Sequence, residues 1–120
     1  MRYPVFVYGT LMKGERAQAY LLNQEFAGEA VLRDYGIYHL GSYPGIKPLR
    51  GGTVPGELYL VDRMTLQRMD QYEGEGSLYH RAPVDVESGT EVIRAFAYVY
   101  AHEITGKPLL AKGWRNRSEQ

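Results

Sequence analysis

Residues 3–8, Tyr-Pro-Val-Phe-Val-Tyr, are apolar or aromatic at every position and run straight into Gly9. A strand with no polar face must be covered on both sides, so this segment predicts a central strand. Residues 9–14 form a loop bounded by Gly9 and Gly14. Beyond it, residues 15–23 carry Ala17, Tyr20 and Leu21 on one stripe, which predicts a short helix. A strand that ends on a glycine loop opening toward a helix can hold an anion on its backbone amides.

The rest of the chain sets the frame for that loop. Residues 27–40 read as two strand-like pieces punctuated by Asp34 and Gly36. Residues 41–45, Gly-Ser-Tyr-Pro-Gly, are a turn cluster, and residues 49–56, Leu-Arg-Gly-Gly-Thr-Val-Pro-Gly, read as a flexible stretch. Residues 57–61 form a good strand. Asp62 then reads as an N-cap and residues 63–73 as a helix with Leu66, Met69 and Tyr72 inward, closed by Gly74. Residues 79–86 are a strand in which Pro83 marks an edge or a bulge. The Ser88-Gly89 pair predicts a hairpin turn into residues 92–101, the most strand-like stretch of all. From Lys107 the chain is basic, then polar, and is expected to be loosely held. About six short strands and two or more flanking helices predict an α+β fold, most simply a small mixed sheet curled into a β-barrel. Residues 1–120 read as one domain, without repeat or linker.

Composition removes several function classes. Fourteen Lys and Arg balance fourteen Asp and Glu, so the basic excess of a sequence-independent nucleic-acid binder or an anionic-lipid binder is absent. The chain has no cysteine, which excludes disulfides, thiolate metal sites and a cysteine nucleophile. His39, His80 and His102 stand far apart, in no metal-ligand spacing. No apolar run is long enough to span a bilayer and no secretory segment precedes the first strand, so a cytoplasmic protein is expected. Eleven tyrosines suit half-buried sheet surfaces, and also a polar pocket with aromatic walls.

Gly9 and Gly14 have the spacing of a phosphate loop, but Glu15 and Arg16 follow where lysine and then serine or threonine are required. No G-x-S-x-G elbow is present. Any catalysis therefore rests on carboxylates, tyrosines and backbone amides, with no cofactor and no metal expected. Glu73 breaks a local rule. It occupies the last turn of a helix, where the macrodipole disfavours a negative charge by about 0.3–1 kcal/mol. Taken alone it reads as a solvated glutamate in an acidic turn beside Glu75. The sharper reading is a carboxyl of raised proton affinity, suited to proton transfer.

The ordered set VFVYGTLMKG, YPG, GELYLVDRMTLQRMDQYEG and LYHRAPVDV resembles the γ-glutamylcyclotransferase-like family. Within it the set is most similar to the γ-glutamylamine cyclotransferase branch and its small bacterial relatives. The resemblance extends to about Tyr100. It implies a small β-barrel with flanking helices and cyclisation of a γ-glutamyl group, in which the α-amine attacks the γ-carbonyl. The products are 5-oxoproline and the free amine or amino acid. It also implies Glu73 as the catalytic acid/base and a substrate cavity lined by Tyr8, Gly9, Thr10 and Leu11. Tyr43, Pro44, Gly45 and Tyr79 would be further wall elements, and residues 49–56 would border the leaving-group end. The expected partner is a small γ-glutamyl substrate, with no nucleic acid and no membrane. The competing readings are a non-catalytic small-molecule binding module on the same cavity and, disfavoured by charge, a barrel that binds single-stranded nucleic acid on its tyrosines.

Overall fold

A computed structural model describes residues 1–120. Five strands and one α-helix follow in the order β1 (Tyr3–Val7), β2 (Glu25–His39), β3 (Pro44–Val61), α1 (Arg63–Glu73), β4 (Tyr79–Ser88) and β5 (Glu91–Tyr100). The strands close into a barrel in the order β1-β3-β2-β4-β5. β1 is central, as its unbroken apolar run requires. It lies antiparallel to β3, with Val7 opposite Glu57, and parallel to β5, with Val5 opposite Phe96. A second parallel contact, Ile46 with Val99, ties β3 to β5, so the sheet is mixed.

The expected six strands are five, because long-range pairing fuses what local punctuation divides. β2 runs through Asp34 and Gly36 as one strand of 15 residues, and β3 absorbs the glycine-rich residues 49–56 into a strand of 18. The irregularity survives as a register shift between Arg33 and Tyr35. There Asp34 takes a left-handed φ of 64° and its Oδ1 accepts from the Gly51 amide at 2.9 Å. Residues 53–56 are thus paired with β2, and residues 49–52 form a bulge opposite Asp34, within one bent strand rather than a flexible loop. Pro83 lies in an unbroken β4–β5 register, opposite Phe96. β4 meets β2 only through Val86 and Glu87, so Pro83 marks an edge and not a bulge.

The two expected helices fare differently. α1 forms where expected, because both of its ends are closed by local chemistry. Asp62 Oδ1 accepts from the Thr65 amide at 2.7 Å, a cap worth about 1 kcal/mol, and Gly74 ends the helix in the left-handed region at φ 63°. The helix expected over residues 15–23 is instead a run of turns ending in a four-residue 3-10 helix, Gln18–Leu21. No side chain caps it, and so short an uncapped segment cannot meet the cost of helix nucleation. Its Ala17 and Leu21 still point into the core.

The tail corrects another expectation. Leu110 and Trp114 are buried, and the His39 amide donates to the Pro108 carbonyl while the Leu110 amide donates to Ile37. The Arg115 guanidinium donates to Glu57 Oε2 at 2.9 Å and to the Lys13 carbonyl at 2.8 Å. The basic tail is therefore fastened to the end of β2, to β3 and to the loop that follows β1.

Candidate active site

Where β1 ends, the loop, the start of β3, the end of α1 and the start of β4 converge on a cavity of about 200 Å³. Its walls bring together Tyr8, Gly9, Thr10, Leu11, Tyr43, Pro44, Tyr79 and Glu73. Gly45 is not among them. It lies behind the wall, where an added Cβ would stand 2.7 Å from Leu40 Cδ1 and 2.8 Å from Tyr100 Cβ. Gly9 is needed for a similar reason: an added Cβ would stand 2.6 Å from the Pro44 ring, so only glycine lets the two walls meet. Residues 49–56 do not border the cavity.

The polar groups of the wall divide into committed and free. Tyr8 donates its hydroxyl to the Tyr98 carbonyl at 2.6 Å, and Tyr79 donates to the Pro44 carbonyl at 2.5 Å. Burial pushes the Tyr8, Tyr79 and Tyr98 hydroxyls up from their ordinary proton affinity, so these rings are neutral donors. Thr10 Oγ1 shares a hydrogen bond of 2.7 Å with the Tyr72 hydroxyl. The turn bonds of the loop are donated by Met12, Glu15 and Ala17; the amides of Gly9, Thr10 and Leu11 donate none of them. Thr10 and Leu11 are buried, so those amides face a cost unless something else accepts from them.

Glu73 stands opposite in character to the tyrosines. Removal from water pushes its carboxyl up to about 7 from an ordinary 4.5, and no charged neighbour offsets the shift. It is the last residue of α1, and the helix is moored three residues earlier. Asp70 Oδ1 accepts from the Tyr98 hydroxyl at 2.7 Å, and its Oδ2 pairs with Arg81 at 3.1 Å. That mooring ties α1 to both β5 and β4 and fixes where Glu73 is presented. Glu75 is elsewhere: it is exposed and accepts a long bond, 3.3 Å, from the Arg81 amide.

Six further residues line the cavity beyond those the sequence points to: the apolar Phe6, Val7 and Leu78, and the polar Tyr72, Tyr98 and Arg16. Tyr72 carried a signal, since it lies on the inward stripe of α1 next to Glu73. Tyr98 lies on the alternating pattern of β5, where nothing separates a wall tyrosine from a sheet tyrosine. In the sequence Arg16 marks only a departure from the phosphate-loop pattern.

The family model described as "Gamma-glutamyl cyclotransferase, AIG2-like" matches residues 5–116. The chain belongs to this family. It is 33% identical over 116 residues to the γ-glutamylcyclotransferase family protein YtfP of Escherichia coli K12, covering 96% of this chain and 98% of that one. It is also 33% identical over 94 residues to a γ-glutamylaminecyclotransferase of Rattus norvegicus, covering 68% of this chain and 62% of that one. Among solved structures, the AIG2-like protein of Mus musculus superposes with a TM-score of 0.81 at 26% identity, over 90% of this chain and 85% of that one. Membership in the AIG2-like family agrees with the resemblance carried by the ordered motifs. No helix of this γ-glutamylcyclotransferase family member is long and apolar enough to cross a membrane.

Proposed function

We propose that the chain cyclises the γ-glutamyl group of a small amide, releasing 5-oxoproline and the free amine or amino acid, with Glu73 carrying the proton. The observation that carries this reading is a carboxyl raised to about 7 by loss of water, on the same small cavity as a loop with uncommitted amides. A general base works best when its proton affinity lies near the working pH.

The reaction needs little else. The substrate holds its own nucleophile, and good orientation of such a pair supplies about 7–11 kcal/mol of the barrier. The α-amino nitrogen attacks the γ-carbonyl carbon, and the ionised Glu73 takes a proton from that nitrogen. The carbonyl oxygen becomes an oxyanion, for which the amides of Gly9, Thr10 and Leu11 are the available donors. One such donor is worth about 2.7–4 kcal/mol. The bond from the tetrahedral carbon to the leaving nitrogen then breaks, and Glu73 returns the proton to that nitrogen. The Tyr8 and Tyr79 hydroxyls, committed to carbonyls, shape the wall without competing for the proton.

The test is mass-spectrometric detection of 5-oxoproline from a panel of γ-glutamyl amines and amino acids. Release is expected from the native protein, with kcat/KM rising as pH passes about 7 and Glu73 ionises. No release across the panel, or release that Glu73→Gln leaves intact, overturns the reading.

A further inference from the structure

A cavity of about 200 Å³ lies below the ~300 Å³ at which pockets begin to enclose whole drug-sized ligands. It has room for a head group, so the remainder of a γ-glutamyl compound must leave it. The cavity does not end at the loop. Thr10 and Arg16 also line a second, wider cleft of about 570 Å³, whose other walls are almost wholly polar.

The groups of that cleft are nearly all matched. Glu15 accepts from Trp114 Nε1 at 3.1 Å and lies 3.5 Å from Arg117 Nη1. The Arg117 guanidinium lies over the Trp114 ring at 4.2 Å, and the His39 ring sits 5.3 Å from the same indole. His39 Nδ1 accepts from the Gly41 amide at 3.1 Å. Arg16 is the exception. Arg2, Arg33, Arg81, Arg94, Arg115 and Arg117 pair with carboxylates, whereas Arg16, Arg50, Arg63 and Arg68 form no ion pair, and of these four Arg16 alone lines the cavity and the cleft. An uncommitted guanidinium therefore stands at the seam between an apolar cavity and a polar cleft. A fork of five donors suits a carboxylate above other partners.

We propose that the polar cleft is the subsite for the departing group and that Arg16 selects departing groups that carry a carboxylate. This rests on the proposed cyclisation, which puts the scissile amide at the inner end of the seam. Arg16 touches the departing half of the substrate and takes no part in the proton transfers. Its role is discrimination among γ-glutamyl compounds, and plain γ-glutamyl amines leave it unanswered.

The test uses two compounds that differ only in charge at the far end, γ-glutamyl-alanine and γ-glutamyl-alaninamide. The native protein is expected to favour the first in kcat/KM by about fivefold, the upper end for an ion pair at an exposed cation. Arg16→Gln brings that ratio to about one, and Arg16→Glu takes it below one. A ratio that Arg16→Gln leaves unchanged overturns the proposal. That includes an equal loss on both compounds, which would place Arg16 on the head group instead. The same ratio is read by titration calorimetry on Glu73→Gln, with and without Arg16→Gln. If the native protein releases no 5-oxoproline from either compound, the cyclisation reading is what fails for them. The calorimetric ratio then decides the subsite by itself: a preference lost with Arg16 supports it, and no preference overturns it.

Discussion

Two glutamates lie against the barrel and are held in opposite ways. Glu57, 3% exposed on β3, is surrounded by donors: the Lys13 amide at 3.0 Å, the Tyr59 hydroxyl at 3.4 Å and the Arg115 guanidinium at 2.9 Å. Glu73, half-buried at the end of α1, has lost much of its water and gained no hydrogen bond or ion pair in exchange. A buried carboxylate with both oxygens answered is a fastener, and this one joins β3, the loop and the tail. A carboxyl left unanswered keeps its proton available. The same residue type thus serves structure at one position and is suited to chemistry at the other, and the difference lies in its neighbours.

The sharpest way to break this contrast is to remove each charge in turn. Glu73→Gln is expected to lower turnover by 10²-fold or more, the lower bound for losing a general acid/base, with near-native circular dichroism. Equal loss of turnover and of folded protein would make Glu73 structural like Glu57. Arg115→Ala strands the Glu57 carboxylate without its cation, and is expected to cost about 3 kcal/mol of stability in urea unfolding. Glu57→Gln is expected to cost less, because the Arg115 side chain is 43% exposed and can return to water.

A third measurement sharpens the contrast through pH. Glu73 binds its proton more tightly folded than unfolded, so its contribution to stability falls as pH rises from 4.5 to about 7, and the loss is complete above that. Glu73→Gln is therefore expected to be more stable than the native protein at pH 8, by on the order of 2 kcal/mol, and equal to it at pH 4. Urea midpoints at the two values check it; a variant less stable at pH 8 would mean that the charge is answered after all. The smallest effect is at the helix end. Gly74→Ala puts a side chain at φ 63°, for about 1 kcal/mol. It should also lower turnover, because it shifts the residue that follows Glu73.

What could be read from the sequence was what neighbours in the chain decide. Asp62 caps its own helix through Thr65, Gly74 ends it, and Gly89 turns the β4–β5 hairpin at φ 62°, all within a few residues. What could not be read depends on partners far away. Asp34 looks like a break, but its φ is supported by Gly51, seventeen residues on. The tail looks loose until Glu57 and Glu15 are placed beside it. Gly45 belongs to the same short motif as Tyr43 and Pro44, yet β-strand alternation turns it from the cavity toward Tyr100. Arg16 follows the pattern that rejected a phosphate loop, and its place on two cavity walls comes from the path of the turns after Gly9.

The register of Val5 with Phe96 has a consequence for how the protein is made. β1 leaves the ribosome before the other four strands of the barrel, and one of its two partners, β5, leaves after them. The β2–β3 hairpin and its pairing to β1 can assemble early, but closure must wait for β5. The loop after β1 gains its far wall only then, when Tyr98 arrives to accept from Tyr8 and to moor α1 through Asp70. A nascent chain therefore carries the pocket residues of β1 and its loop well before it has a pocket, which must wait until β5 has been made.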